Sequence, residues 1–147
     1  SSNPHDLDAR SEALYGAWLA GVSLGSSGMA LHHKLCHVLG GTFNLPHAET
    51  HSIVLPHAAR YNRDAAADAM LRVARALGAR DAPGGLWDLE KSLGLKMALG
   101  EIGIRESDLE RAAKIAVEAP YPNPAPVEYG AILRLLRDAF AGVRPAA

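Results

Sequence analysis

The sequence is short of cysteine, of net charge and of long apolar runs, and each shortage removes a class of protein. A lone Cys36 excludes an internal disulfide framework and fits a reducing compartment. With 15 basic against 16 acidic side chains, the net charge of -1 offers no footprint for nucleic acid or an anionic membrane. Apolar runs such as Ser52 to Pro56 and Lys114 to Val117 fall far short of the roughly 20 residues a membrane-spanning helix needs. No basic-then-apolar leader opens the chain, so a cytoplasmic location is expected. Convincing strand patterns, low-complexity tracts and fixed-period repeats are missing too.

What remains is the composition of an ordinary globular protein, 48% apolar and 21% charged. Its 147 residues make one domain by length, enough to bury roughly two thirds of the unfolded surface. The first residues run from an irregular, proline-containing tail straight into a helical pattern with no initiator methionine, and a piece of a longer protein is expected.

Helical periodicity recurs along the chain. Over residues 7–24, Leu14, Ala17, Trp18 and Val22 share one face, broadened by Leu19 and Leu24, until Gly25 to Gly28 interrupts it. Trp18 and Trp87 are both expected in the core. Residues 29–39 repeat the period, and Gly40-Gly41 is expected to end that helix in left-handed backbone. Asn44 and Pro46 read as the capped entrance to a third helix from about His47 toward Tyr61, kinked by Pro56 near Ser52 and Ile53 and ending at Asn62. A fourth pattern places Met70, Leu71, Val73 and Leu77 at helical spacing and stops at Gly78. Residues 84–94 and 96–104 read as two shorter helical pieces. Ser107 to Glu110 has the S-x-x-E form of a capping box ahead of another helix. After the rigid connector 121–126, a last helix turns Ile132, Leu133, Leu135, Leu136 and Phe140 inward. These elements predict an all-α bundle of roughly seven or eight helices.

Five of the seven histidines fall within residues 32–51. His33 and His37 lie four apart on a helix, so their imidazoles share a face one turn apart. His47 opens the next helix, where a reversal returns it toward that face, and His51 follows one turn later. Neutral imidazole is a good ligand for divalent zinc, iron and nickel, and i, i+4 pairs present it well. Single helical histidines are more often structural, and His5 and His57 are read so, as is His32, about 100° round the helix from His33. Cys36 reads as a small buried apolar residue. Gly40-Gly41 lacks the strand-loop-helix setting of a phosphate cradle.

The run from Gly28 to Asn62 resembles the signature region of the iron-containing, or group III, alcohol dehydrogenases. The matching elements are His33, His37, Leu39-Gly40, Asn44-Leu45-Pro46-His47, Leu55-Pro56-His57 and Tyr61-Asn62. Within that family, residues 13–21, 32–37 and 46–51 resemble the maleylacetate reductases in particular. The resemblance implies that these residues belong to the C-terminal α domain of a two-domain enzyme, with the N-terminal Rossmann-like dinucleotide-binding domain absent from this chain. It implies His33 and His47 as two of four metal ligands in metal-using relatives, and His37 as the histidine beside nicotinamide and substrate. The other two ligands, an upstream D-x-x-x-H pattern, are not in the sequence. The activity implied is reduction of maleylacetate by NADH or NADPH, with Fe2+ or Zn2+ at the site or with no metal at all. On this resemblance His37 is expected to donate the proton, His33 and His47 to bind a metal or, without one, the substrate directly, and His51 to contact a carboxylate. A homodimer is what the family suggests. Two other readings stand beside this one: a stand-alone helical metal-binding module, and a metal-dependent hydrolase, for which no carboxylate lies at ligand spacing.

Overall fold

The computed structural model describes residues 3–145, and all regular structure among them is helical. Seven α-helices follow in order: α1 Leu7–Ser26, α2 Leu31–Phe43, α3 His47–Asn62, α4 Ala67–Ala76, α5 Ala82–Ser92, α6 Leu109–Val117 and α7 Tyr129–Ala141. Two 3-10 turns, Leu99–Ile102 and Glu106–Asp108, lie between α5 and α6. Residues 96–104 therefore contain a 3-10 turn and no α-helix, although Leu99 and Ile102 are still buried.

α3 is the axis of the bundle. α2 packs on one side of it, α5 and α7 on others, and α6 closes the layer against α2 and α7. Leu31, Leu35 and Leu39 recur along α2 at helical spacing and meet Ile53 and Val54 of α3, Ala112 and Ala116 of α6, and Ile132 and Leu136 of α7 in one core. Each such leucine, withdrawn wholly from water, contributes about 2 kcal/mol. On α7 the expected inward set holds except at Phe140, which is half-buried while Ala139 is enclosed.

Several local expectations are corrected. α2 runs through Gly40-Gly41 to Phe43, and the left-handed residue is Asn44, with φ 55 and its backbone N–H bonded to the Leu39 carbonyl. Glycine inside a helix costs only about 1 kcal/mol, so it permits a stop without forcing one. Asn44 is thus spent on ending α2 and does not cap α3, whose first carbonyl acceptor is Pro46, bonded by the Thr50 amide at 3.0 Å and the Thr50 hydroxyl at 2.6 Å. The capping box at Ser107 does not form, since the 3-10 turn feeds α6 directly and Arg105 takes the Asp108 carboxylate through two bonds of 2.8 and 3.1 Å. In α4 only Ala74 is buried, and Leu71 is 64% exposed.

α1 is the largest departure. None of its residues is buried, and Trp18, expected in the core, is 59% exposed. Trp87 is half-buried, with the Lys91 ammonium 4.8 Å from its ring centroid. Periodicity locates an apolar stripe; it does not say what covers it.

Candidate histidine site

The α2–α3 hairpin gathers the histidines. The Asn44 turn reverses the chain, and the apolar packing of Leu35, Leu39, Ile53 and Val54 fixes the two helices face to face. Across that junction His51 lies between the two groups of histidines. Its ring centroid is 5.1 Å from His33, 5.0 Å from His32 and 4.1 Å from His47. His33 lies 6.2 Å from His37, which is exposed at the rim, as is His47.

Among the described residues, His32, His33 and His51 bring one ring nitrogen each within 4.8 Å of one another. From its helical angle alone His32 is expected outside the group. The fold brings it in, because its Nε2 bonds the His51 carbonyl at 2.9 Å and so ties the first turn of α2 to α3. A carbonyl only accepts, which makes Nε2 the protonated nitrogen and leaves Nδ1 with the lone pair. The expected pair His33 and His47 is linked through His51, whose ring lies 5.1 Å from the first and 4.1 Å from the second.

The crowd of rings disfavours positive charge. Burial, then the neighbouring imidazoles of His32, His47, His33 and His37, push His51 down to about 4, and its Nε2 is buried with no partner. Burial likewise lowers His32. Two imidazoles held toward the neutral form, one of them with an orphaned buried nitrogen, fit a borderline divalent cation such as Fe2+ or Zn2+, and equally a hydrogen-bonding anionic substrate. Cys36 is not part of this chemistry: it is buried, and desolvation raises its thiol to about 12.

A second set of residues holds the hairpin in place. Asn62 and Asn123 exchange side-chain bonds of 3.0 and 2.7 Å, and Asn62 also accepts from the Ala125 amide at 3.2 Å. Asn123 accepts from the Leu31 amide at 3.4 Å, one of the free amides that open α2 just before His32 and His33. The Tyr61 hydroxyl donates to the Pro126 carbonyl at 2.7 Å. Tyr61-Asn62 is thus a clamp on the connector. Asn123 was missed in the sequence, where its only signal is a polar side chain fixed between two prolines.

His57, read as structural, is 4% exposed, and burial pushes it down to about 4. It borders a groove of about 690 Å³ shared by Tyr61, Glu128, Arg134 and Asp138, which contains none of the clustered histidines. Lys34 reaches over the Tyr121 ring at 5.8 Å, and Glu49 sits in the first turn of α3, where a carboxylate suits the helix dipole.

The model of the Fe-containing alcohol dehydrogenase family, C-terminal part, matches residues 1–140. The chain belongs to that family. It is 57% identical over 144 residues to the maleylacetate reductase of Burkholderia cepacia, covering 98% of this chain and 41% of that protein. The crystal structure of maleylacetate reductase from Agrobacterium tumefaciens is similar with a TM-score of 0.94 at 47% identity, over 98% of this chain and 41% of that one. An iron-containing alcohol dehydrogenase from Corynebacterium glutamicum gives 0.89 at 45%, over 97% and 40%. The chain therefore spans about two fifths of the curated relatives it matches.

Proposed function

We propose that this family member is the C-terminal catalytic domain, residues 1–147, of an NAD(P)H-dependent maleylacetate reductase. Such an enzyme reduces the conjugated C=C of maleylacetate to 3-oxoadipate in bacterial breakdown of aromatic compounds. The 57% identity to a maleylacetate reductase across 98% of the chain carries the reading. The isolated domain is inactive, because the dinucleotide is held mainly by an N-terminal Rossmann-like domain outside these residues.

The reaction places a hydride on one alkene carbon and a proton on the other, through an enolate. The nicotinamide supplies the hydride when bound. His37, exposed at the rim of the hairpin, contacts nicotinamide and substrate and delivers the proton, a task for which imidazole is suited near neutral pH. His33 and His47 hold the substrate's oxo oxygen where negative charge develops. His51, kept uncharged by burial, turns its unpartnered Nε2 to a carboxylate as a neutral donor. Where Fe2+ or Zn2+ is bound, His33 with His47 or His51 would hold it, and it would supply Lewis-acid polarisation of that same oxygen. Metal-dependent alcohol oxidation is the second reading, supported by the likeness to the Corynebacterium protein and by the three-imidazole grouping.

Among the described residues no helix is long and apolar enough to cross a membrane. A cytoplasmic homodimer is the setting we propose. The test uses the full-length polypeptide, following NADH and NADPH oxidation with maleylacetate before and after exhaustive chelation. His37→Ala is expected to lower kcat about 10²- to 10⁴-fold. Activity that survives chelation identifies a metal-free reductase, while loss with rescue by iron or zinc makes the imidazoles true ligands. Absence of maleylacetate reduction in every condition sinks the reading in favour of alcohol oxidation.

A further inference from the structure

The α2–α3 hairpin carries more imidazole than the pair His33 and His47 that the family resemblance implies as ligands. Among the described residues, the histidines whose ring nitrogens all lie within 4.8 Å of one another are His32, His33 and His51, and His47 is not in that set. Two features of the trio are those of ligands and not of packed rings. The His32 Nε2–H is anchored on the His51 carbonyl at 2.9 Å, which leaves Nδ1 with the lone pair. A metal-bound histidine almost always spends its other nitrogen on such an acceptor, because that bond fixes the tautomer and aims the ring. The second feature is the His51 Nε2, buried with no hydrogen-bond partner although the residue as a whole is only half-buried. Buried polar atoms are nearly always satisfied, and a bound ion is one way to satisfy this one. Cys36 Sγ, 3.7 Å from the His32 Nε2, stands beside the anchored edge of that ring and not in the converging set.

We infer that His32, His33 and His51 form a three-imidazole site for a divalent cation of the zinc class, Zn2+, Co2+ or Ni2+, complete within the hairpin and independent of His47. Neutral imidazole is a ligand suited to this class of ion. Nitrogens bound to one tetrahedral ion stand about 3.4 Å apart. Ring rotations close the set to that spacing while the helices stay where Leu35, Leu39, Ile53 and Val54 hold them. Three imidazoles leave a tetrahedral ion one further position, open to water or to an oxygen of a substrate. His32 then has two tasks: its Nε2 ties α2 to α3, and its Nδ1 faces the ion. His33 belongs both to this set and to the pair with His47, so the two ligand sets compete for one ion. The inference does not rest on which substrate the full-length enzyme takes, and its readout is the metal itself.

Metal titration of the full-length polypeptide, first stripped by exhaustive chelation and dialysed, tests it. Co2+ is followed by its visible absorption and Zn2+ by calorimetry, and wild type is expected to bind one ion per polypeptide. In His32→Gln the side-chain amide N–H still reaches the His51 carbonyl, but the Nδ1 lone pair is gone. It is expected to weaken both metals about a hundredfold or more, since loss of a supporting bond alone costs up to about that much. His51→Gln leaves the backbone carbonyl in place for His32 and is expected to weaken binding equally, which keeps the test decisive if either variant folds poorly. His47→Gln is expected to leave both affinities unchanged. Wild type that binds no ion overturns the inference, as does full affinity in His32→Gln or His51→Gln. Loss of affinity in His47→Gln also overturns it and returns the ligand set to His33 and His47.

Discussion

α1 and the α2–α3 hairpin read alike in sequence and fare oppositely in the fold. Both carry apolar residues at helical spacing, yet Leu35 and Leu39 are fully enclosed while Leu14 and Trp18 stand in solvent. The hairpin brings its own partners within reach: a one-residue left-handed turn returns the chain, and α5, α6 and α7 fold over the pair. α1 has no such neighbour among the described residues. An amphipathic pattern is half of a contact, and its free energy appears only when the other half is present.

The sharpest way to break this comparison is truncation in each region of the 147-residue chain. Leu35→Ala is expected to cost about 2–5 kcal/mol, by lost transfer energy and a residual cavity. Leu14→Ala, already in water, should stay within about 0.5 kcal/mol. Urea unfolding of both variants decides it, and equal losses would show that α1 is packed after all.

Protonation probes the packed half from two directions. Burial holds His57 at about 4 against an ordinary 6.5, so the unfolded state binds the proton more readily between those values. Its contribution is complete above pH 6.5 and is lost as pH falls toward 4, by about 3 kcal/mol at most. Glu90 of α5 has the opposite sign. Burial raises it to about 7 from 4.5, so its penalty is absent below pH 4.5 and grows as pH rises to 7. Its Oε2 is buried without a partner. Glu90→Gln should therefore stabilise the chain by about 2 kcal/mol at pH 8 and have little effect at pH 4. Thermal melts across pH 4–8 check both, and a Glu90→Gln gain that does not grow with pH would contradict the buried carboxylate.

Smaller effects sharpen the account of the hairpin itself. Asn123→Ala removes the acceptor for the Leu31 amide and the bonds to Asn62, and should cost about 1–2 kcal/mol. Its amide exchange should quicken at the start of α2, beside His32 and His33, and not in α7. Gly41→Ala should be the mildest change and of favourable sign. The residue is helical and its Cβ meets nothing within 4 Å, so about 0.5–1 kcal/mol of helix propensity is gained. A loss at Gly41 would mean that the backbone there is left-handed, as the double glycine suggests when read alone.

Much of the fold was legible because its signals are local. All seven α-helices fall where period and punctuation place them, α2 running four residues past its expected stop at Leu39, and α3 ends at Asn62. The errors at helix ends share one cause. Gly40-Gly41, Asn44 and Ser107 each have a residue type that can perform a terminal role, and in each case a neighbour's hydrogen bond decided whether it did. The candidate site was legible in part: spacing and family resemblance single out His33, His37, His47 and His51, and the fold gathers these side chains at one junction. His32 and Asn123 were not, since the first depends on a carbonyl one helix away and the second on a connector more than 90 residues further along the chain.

By itself the sequence determined a helical fold, a nearly balanced charge, and a concentration of imidazole at one helix reversal. Those follow from side-chain type and from a period of 3.6 residues, which are properties of neighbours in the chain. The tertiary structure alone decided that His51 bridges the two histidine groups, that His32 joins them through a backbone bond, and that α1 is left bare. Such outcomes depend on which surfaces meet in space, and burial, desolvation and hydrogen-bond pairing take their values only there.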